Sequence, residues 1–430
     1  MPTGSANDVP RAPPEGLVID EIADVIIIGA GIIGLSTAFQ IARRSALKVV
    51  VLEKGSGLGE GSTGASSAVC RFRYSRPEMV QLAKDGIDAY RSWADFLEIA
   101  EPRAQYNNDG VLWLGDGRTD WPQAEQARLA RFGVRTDVLD DAELRASFPG
   151  VNPCLHAPDV ELGTDHDCRD GGKHLLEVDG GYIDPVDALQ DLADAARARG
   201  ISVRLNTEVA RVTESGGRAS GVRLADGSKI AAPVVVNAAG PWCNRLFEQL
   251  GLDLGWPLIP TRIQVVHLDR PAALEGPIPV TVDAAAGIYF RTQNRGQQII
   301  VSSVREEDER EEVGSPDDFA RYVDDDFERE KLHALQHRLP ALSFRNVRGY
   351  SGLYTVNRSD VHPIVGETAI KGLFAANGCS GHGFKLAPAI GALLARQIVG
   401  DVATFDTRIG LDFLSGSRSP IRLESKSVLA

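Results

Sequence analysis

The chain has 430 residues, 43% of them hydrophobic and 24% charged, and a net charge of −13. That length exceeds the ~250–300 residues at which a single core stops growing, so two intertwined domains are expected. The composition is ordinary for a globular enzyme, while the acidic balance excludes a basic nucleic-acid-binding face and offers no polybasic membrane anchor.

Met1–Glu21 contains Pro, Gly and Asp but no apolar run, so it reads as a disordered leader and not a signal peptide. No apolar run elsewhere is long enough to span a bilayer. The five cysteines are scattered, which fits a reduced, cytoplasmic protein better than a disulfide scaffold.

Asp24–Lys54 carries the densest signal. An apolar run, Val25–Ile28, enters Gly29-Ala30-Gly31-Ile32-Ile33-Gly34; an alanine-rich stretch (Leu35–Arg44) follows, then a second apolar run (Lys48–Leu52) that stops at Glu53. This order predicts a buried parallel strand, a glycine turn, a helix and a second strand. Gly29 permits the tight turn, Gly31 admits a pyrophosphate against the backbone, and Gly34 lets the helix pack close to the strand. The helix N-terminus offers N–H groups and the positive end of its dipole to phosphates. Glu53 stands where a carboxylate accepts ribose hydroxyls and repels a 2′-phosphate. The segment therefore predicts an adenine dinucleotide, FAD or NAD.

Gly55–Arg73 is rich in Gly and Ser, as a chain passing under a cofactor must be. A helix is predicted over Pro77–Ile99, with Pro at its first turn and Glu78 beside it. Gly110–Leu114 reads as a strand, and Thr119–Phe132 and Asp140–Phe148 as short helices. Cys154-Leu155-His156 and His166-Asp167-Cys168 form a mirrored pair in a Pro- and Gly-rich segment. Neither has the cysteine spacing of a zinc site, so the segment reads as a solvated surface loop and no metal is expected. Gly180–Pro185 turns into a helix ending at Gly200. A strand (Ile201–Leu205), a hairpin (Val209–Leu224) and the run Val234–Asn237 follow, the last closing in Ala238-Ala239-Gly240-Pro241-Trp242. Thr261–Leu268, Val280–Asp283, Gly287–Phe290 and Gln298–Val301 read as strands of a separate sheet, and Arg305–Leu339 as an acidic helical stretch. The chain then returns to the first region with Leu373–Ala376, Gly378–Lys385 and a helix over Leu386–Val399. No internal repeat is visible.

The signatures in this order are Gly29–Gly34 with Glu53, GEGSTGASSAVCR (Gly59–Arg71), DGGYIDP (Asp179–Pro185), VVVNAAGPW (Val234–Trp242), GLYTVNRSDVHPIVGE (Gly352–Glu367) and CSGHGFKLAPAIG (Cys379–Gly391). Together they resemble the D-amino-acid-oxidase-like superfamily of FAD oxidoreductases, most closely its sarcosine oxidase and dimethylglycine dehydrogenase branch. The resemblance implies an α/β fold of the glutathione-reductase-like FAD type, in which a Rossmann-type FAD-binding domain is intertwined with an antiparallel-sheet substrate domain. It places the FAD-binding domain at 22–100, 180–245 and 350–405, the substrate domain at 101–179 and 246–349, and a C-terminal tail at 406–430.

It also implies cofactor contacts from Gly29, Ala30, Gly31, Ile33, Gly34, Glu53, Lys54, Gly61, Ser62, Thr63, Ser66, Ser67, Val209, Ala239, Gly240, Trp242, Gly352, Gly378, Gly381, His382, Gly383, Phe384 and Lys385. Arg71 and Lys385 match the cations that grip the substrate carboxylate in sarcosine oxidases, and Tyr354 matches an aromatic beside the substrate. The positions at which relatives tether FAD covalently are Gly352 and about Ala65 here, so FAD is expected to be non-covalent. An oxygen-activating lysine falls at about Ile300, which leaves the electron acceptor open between O2 and an electron-transfer partner. The expected reaction is oxidation of an amino acid or N-methyl amino acid by hydride transfer to flavin N5, the imine then hydrolysing. The alternative is a D-amino-acid or proline-like imino-acid dehydrogenase, alone or as a subunit of a heteromeric complex; an oligomer is compatible with either. The retained Arg71 and Lys385 argue against a purely non-catalytic assembly role.

Overall fold

In a computed structural model, the structure describes residues 21–117, 120–159, 167–423 and 429. Most of the expected leader lies outside the described residues, and its last residue, Glu21, opens a short strand (Glu21–Ile22) paired with Lys229–Ala231.

Four strands that read as continuous apolar runs in the sequence sit at the centre of a six-stranded sheet. Its order is Ile364–Glu367, Leu373–Asn377, Val234–Asn237, Val25–Ile28, Val49–Leu52 and Ser202–Arg204. All pairs are parallel except the first. Every side chain of Val25–Ile28 and Val49–Leu52 is buried, as expected of parallel strands covered on both faces. The register pairs Ile28 with Leu52 and with Asn237, so the strands end together along one carboxyl edge. The helix Ile32–Arg44 covers one face, packed against the C-terminal helix Gly383–Val399. A small four-stranded sheet built on the hairpin Val209–Ser215 and Arg218–Leu224 covers the other.

The second layer is an eight-stranded sheet in the order Arg348–Asn357, Leu258–Asp269, Gln298–Ser303, Ile288–Gln293, Val280–Asp283, Val111–Trp113, Lys173–Glu177 and Thr136–Asp140. Its pairs are antiparallel, apart from the parallel contact of Val280–Asp283 with Val111–Trp113. The helix Asp325–Arg338 packs on it through Phe327, Leu332, Ala334 and Leu335.

Several expected boundaries shift for identifiable reasons. The segment drawn into the FAD-binding domain from residue 350 begins inside Arg348–Asn357, which pairs with Leu258–Asp269 from Leu258–Asn357 to His267–Arg348 in the eight-stranded sheet. The helix expected over Pro77–Ile99 breaks at Ser92 into Pro77–Arg91 and Trp93–Leu97. The acidic stretch Arg305–Leu339 is helical only at Glu307–Glu309 and Asp325–Arg338. Between them Gly314 and Pro316 oppose a helix, and residues 311–313 instead run beside the strand at Pro260–Arg262, with Arg262 N donating to Glu311 O at 2.8 Å. The C-terminal helix starts three residues early, at Gly383. Its internal Pro388 has no N–H for the Phe384 carbonyl, and the Tyr90 hydroxyl donates to that oxygen instead, at 2.8 Å.

Candidate active site

A cavity of about 730 Å³ runs along the carboxyl edge of the six-stranded sheet to the eight-stranded one. Gly29, Ala30, Gly31 and Ile33 of the glycine turn line it, so the N-terminus of Ile32–Arg44 opens into it. Gly29 adopts φ +102°, and a Cβ there would stand 2.5 Å from the Ala238 carbonyl oxygen of the neighbouring strand. A Cβ on Gly34 would overlap the Gly29 carbonyl. Gly34 is therefore outside the lining, and its role is to bring helix and turn together. Glu53 Oε2 accepts from Ala30 N at 2.9 Å and Oε1 from Gly55 N at 2.8 Å. The carboxylate thus fixes the turn while keeping lone pairs for a ligand. Thr63 Oγ1 accepts from Ile32 N at 3.1 Å.

Glu53, Lys54, Gly61, Ser62, Thr63, Ser66, Val209, Ala239, Gly240, Trp242, Tyr354, Gly378, Gly381, Gly383 and Phe384 also line the cavity. Ser67, Gly352, His382, Lys385 and Arg71 do not. The Ser67 hydroxyl meets Tyr289 Oη at 2.6 Å, and its carbonyl accepts from Arg291 Nε at 2.7 Å. Gly352 backs onto Ala65, where a Cβ would approach the Ala65 Cβ to 2.6 Å. Neither Gly352 nor Ala65 carries a nucleophilic side chain. The volume lies in the range of small-molecule sites. Its run of glycines, helix N-terminus and acid fits an extended dinucleotide such as FAD.

Arg71, Lys385 and His382 gather around the buried ring of Tyr74. Arg71 Cζ lies 4.2 Å and Lys385 Nζ 6.0 Å from the ring centroid. The Arg71 guanidinium donates to the Arg73 carbonyl. His382 Nδ1 is 3.2 Å from the Tyr74 hydroxyl, and burial holds this imidazole well below its usual range, hence neutral. Burial, and then the Arg71 charge, pull the Lys385 ammonium down to about 7. The sequence placed Lys385 before the last helix; the structure puts it in the first turn, where its carbonyl touches Gly86 so closely that a Cβ on that residue would overlap it.

Three residues around this candidate site were not singled out by the sequence reading. Glu177, fully buried at the end of Lys173–Glu177, accepts from Phe72 N (2.7 Å), Arg73 N (2.8 Å) and Trp113 Nε1 (3.0 Å), which fixes the backbone beside Arg71. Its burial raises its affinity for a proton. Arg291 is buried against the Tyr182 ring at 4.2 Å and stands directly across from Ile300. Asp317 lies in the segment expected to be helical. It accepts from Lys54 Nζ (2.8 Å), Trp242 Nε1 (2.7 Å) and Arg245 Nη1 (2.5 Å), and so clasps the rim of the cavity. These hydrogen bonds hold its carboxyl far below the usual range.

Among the described residues no helix is long and apolar enough to cross a membrane. FAD-dependent oxidoreductase domain-containing protein 1 of Xenopus laevis is 28% identical over 429 residues, covering 90% of this chain and 81% of that protein. Peroxisomal sarcosine oxidase of Mus musculus is 26% identical over 381 residues, covering 86% and 90%. The crystal structure of L-proline dehydrogenase from P. horikoshii superposes with a TM-score of 0.75 at 23% identity, over 92% of this chain and 97% of that one, and bears out the fold class. Residues 24–397 match the model of the family described as DAO, FAD dependent oxidoreductase. The chain belongs to that family and is an FAD-dependent oxidoreductase.

Proposed function

We propose that the chain oxidises an amino acid or N-alkylated amino acid whose carboxylate is held by Arg71 and Lys385. The observation that carries this reading is the pair of buried cations on one tyrosine ring, Lys385 directly following the cavity-lining Gly383 and Phe384 and Arg71 five residues after the cavity-lining Ser66. Arg71 and Lys385 repel one another, a repulsion that the nearby buried Glu177 offsets only in part, and an entering anion relieves it. A guanidinium fork and an ammonium on one carboxylate form charge-assisted hydrogen bonds that select amino acids over simple amines.

Bound FAD supplies the two-electron acceptor chemistry. The chain's own residues position the substrate and set its charge. The positive field of Arg71 and Lys385 disfavours a substrate ammonium, so the amine is held neutral with its lone pair available. His382, neutral and fixed by Tyr74, adds no charge to that field. Tyr354 lines the cavity, and burial keeps its hydroxyl protonated. No side-chain base is required, and the imine product hydrolyses in water. Holding the reacting C–H in place contributes several kcal/mol toward the barrier reduction.

FAD is held by the glycine turn, Glu53, Ser62 and Thr63 without a covalent bond, since Gly352 and Ala65 offer no nucleophile. Ile300 places no ammonium where oxygen-activating lysines fall. Arg291, directly across from it, is the buried cation that bears on whether O2 or an electron-transfer partner accepts the electrons. No disulfide joins the five cysteines, which suits a reducing, cytoplasmic setting.

Arg71→Ala and Lys385→Gln, assayed on an amino acid and on its decarboxylated amine, test the clamp. Losing one charge-assisted hydrogen bond lowers kcat/KM for the acid roughly ten- to a hundredfold and leaves the amine little changed. Equal losses on both substrates remove the clamp.

A further inference from the structure

Away from the cavity, Cys154, Cys168 and His337 bring two sulfurs and an imidazole nitrogen to within 4.8 Å of one another. The sequence separates Cys154 from His337 by most of the substrate-side sheet, which is why cysteine spacing alone gave no metal. The fold closes the distance with a specific set of bonds. Leu155 N donates to Arg169 O at 3.0 Å, bringing the Cys168 segment beside Cys154. His337 sits in the last turn of Asp325–Arg338. Asn152 N donates to Arg338 O at 2.8 Å, and Asn152 Nδ2 to His337 O at 3.0 Å. Arg338, itself buried, pairs with buried Asp283 at 2.5 Å and donates to the Asn152 and Cys154 carbonyls.

Both sulfurs are already treated as acceptors. Cys154 Sγ receives the His156 and Arg169 amides, each at 3.4 Å, and Cys168 Sγ receives Asn152 Nδ2 at 3.3 Å. N–H donors aimed at sulfur are the outer shell that steadies a metal-bound thiolate.

We propose that Cys154, Cys168 and His337 bind a zinc ion that fastens residues 152–156 and 167–169 to the end of the helix Asp325–Arg338. Two thiolates and an imidazole suit zinc and not the oxygen-seeking cations, and water completes the tetrahedron. The two thiols release their protons to solvent on binding, and their two negative charges balance the ion. Cys168 is exposed, so the ion enters from the solvent side.

The test uses the FAD-loaded protein, prepared under reducing conditions, stripped with a chelator and reloaded with one equivalent of zinc or cobalt(II). The expected result is one metal ion retained per chain after gel filtration, a tetrahedral cobalt–thiolate spectrum at wavelengths beyond the flavin bands, and a Tm that falls on chelation. C168S, at an exposed position, keeps its flavin absorbance and loses the retained metal and the spectrum, and H337Q weakens retention at least tenfold. The proposal is overturned by a folded, yellow wild-type protein that retains no metal, by a cobalt spectrum that C168S leaves unchanged, or by a Cys154–Cys168 disulfide in the protein as isolated.

Discussion

Lys385→Met removes a charge that folding buries. In the folded protein burial and Arg71 draw the ammonium from its ordinary 10.5 to about 7, a difference of 3.5 (10.5 − 7) that corresponds to at most about 5 kcal/mol at 1.36 kcal/mol for each unit. Below pH 7 lysine is charged in both states and the folded state bears the whole cost. Between pH 7 and 10.5 the unfolded chain binds more protons, so wild-type stability rises with pH across that window and levels off above it. Methionine is unbranched and of similar length, so it fills the site without a large void. K385M is therefore expected to be more stable than the wild type near pH 6, by up to about 5 kcal/mol less the lost packing, with the advantage shrinking as pH approaches 10. Urea unfolding at fixed FAD concentration across this range measures it. A K385M protein less stable than the wild type near pH 6, or a difference independent of pH, refutes the reasoning.

The same group governs anion binding: a small carboxylate inhibitor should bind with proton uptake, its affinity falling as pH rises through about 7, and isothermal titration in buffers of different ionisation enthalpy reads this directly. Asp317→Asn removes the acceptor for Lys54 and Arg245 on a half-exposed rim, and FAD affinity should drop roughly two- to tenfold, since such pairs contribute about 0.2–1 kcal/mol each; flavin fluorescence titration measures it. Acid or guanidinium denaturation of the wild type should free all of its FAD, and a flavin-fluorescent band on a denaturing gel would show a tether that Gly352 and Ala65 do not provide.

The dinucleotide half was legible because its determinants are consecutive. Strand, glycine turn, helix and acid follow each other from Val25 to Glu53, and Gly29 and Gly34 make the close backbone approaches that leave no room for a Cβ. Of the eight-stranded sheet, five strands were legible, but not Thr136–Asp140, Lys173–Glu177 or Arg348–Asn357 and not the pairing: nothing local says that Val280–Asp283 lies parallel to Val111–Trp113. Asp317 was lost because acidic composition suggested a helix, whereas Gly314, Pro316 and a neighbouring strand edge decide the backbone there. Glu177 was lost with its unread strand. Arg71 and Lys385 were found by motif, but that they meet on Tyr74, outside the cavity lining, depends on side-chain directions that no spacing encodes.

The most direct test of the account is anaerobic mixing of the FAD-loaded protein with paired amines, each N-methyl or D-amino acid set beside its decarboxylated counterpart, while flavin absorbance is followed. The account predicts rapid bleaching by at least one carboxylate-bearing amine and none, or far slower bleaching, by its partner. Flavin that stays yellow with every amino acid, or that bleaches equally with both members of each pair, contradicts it.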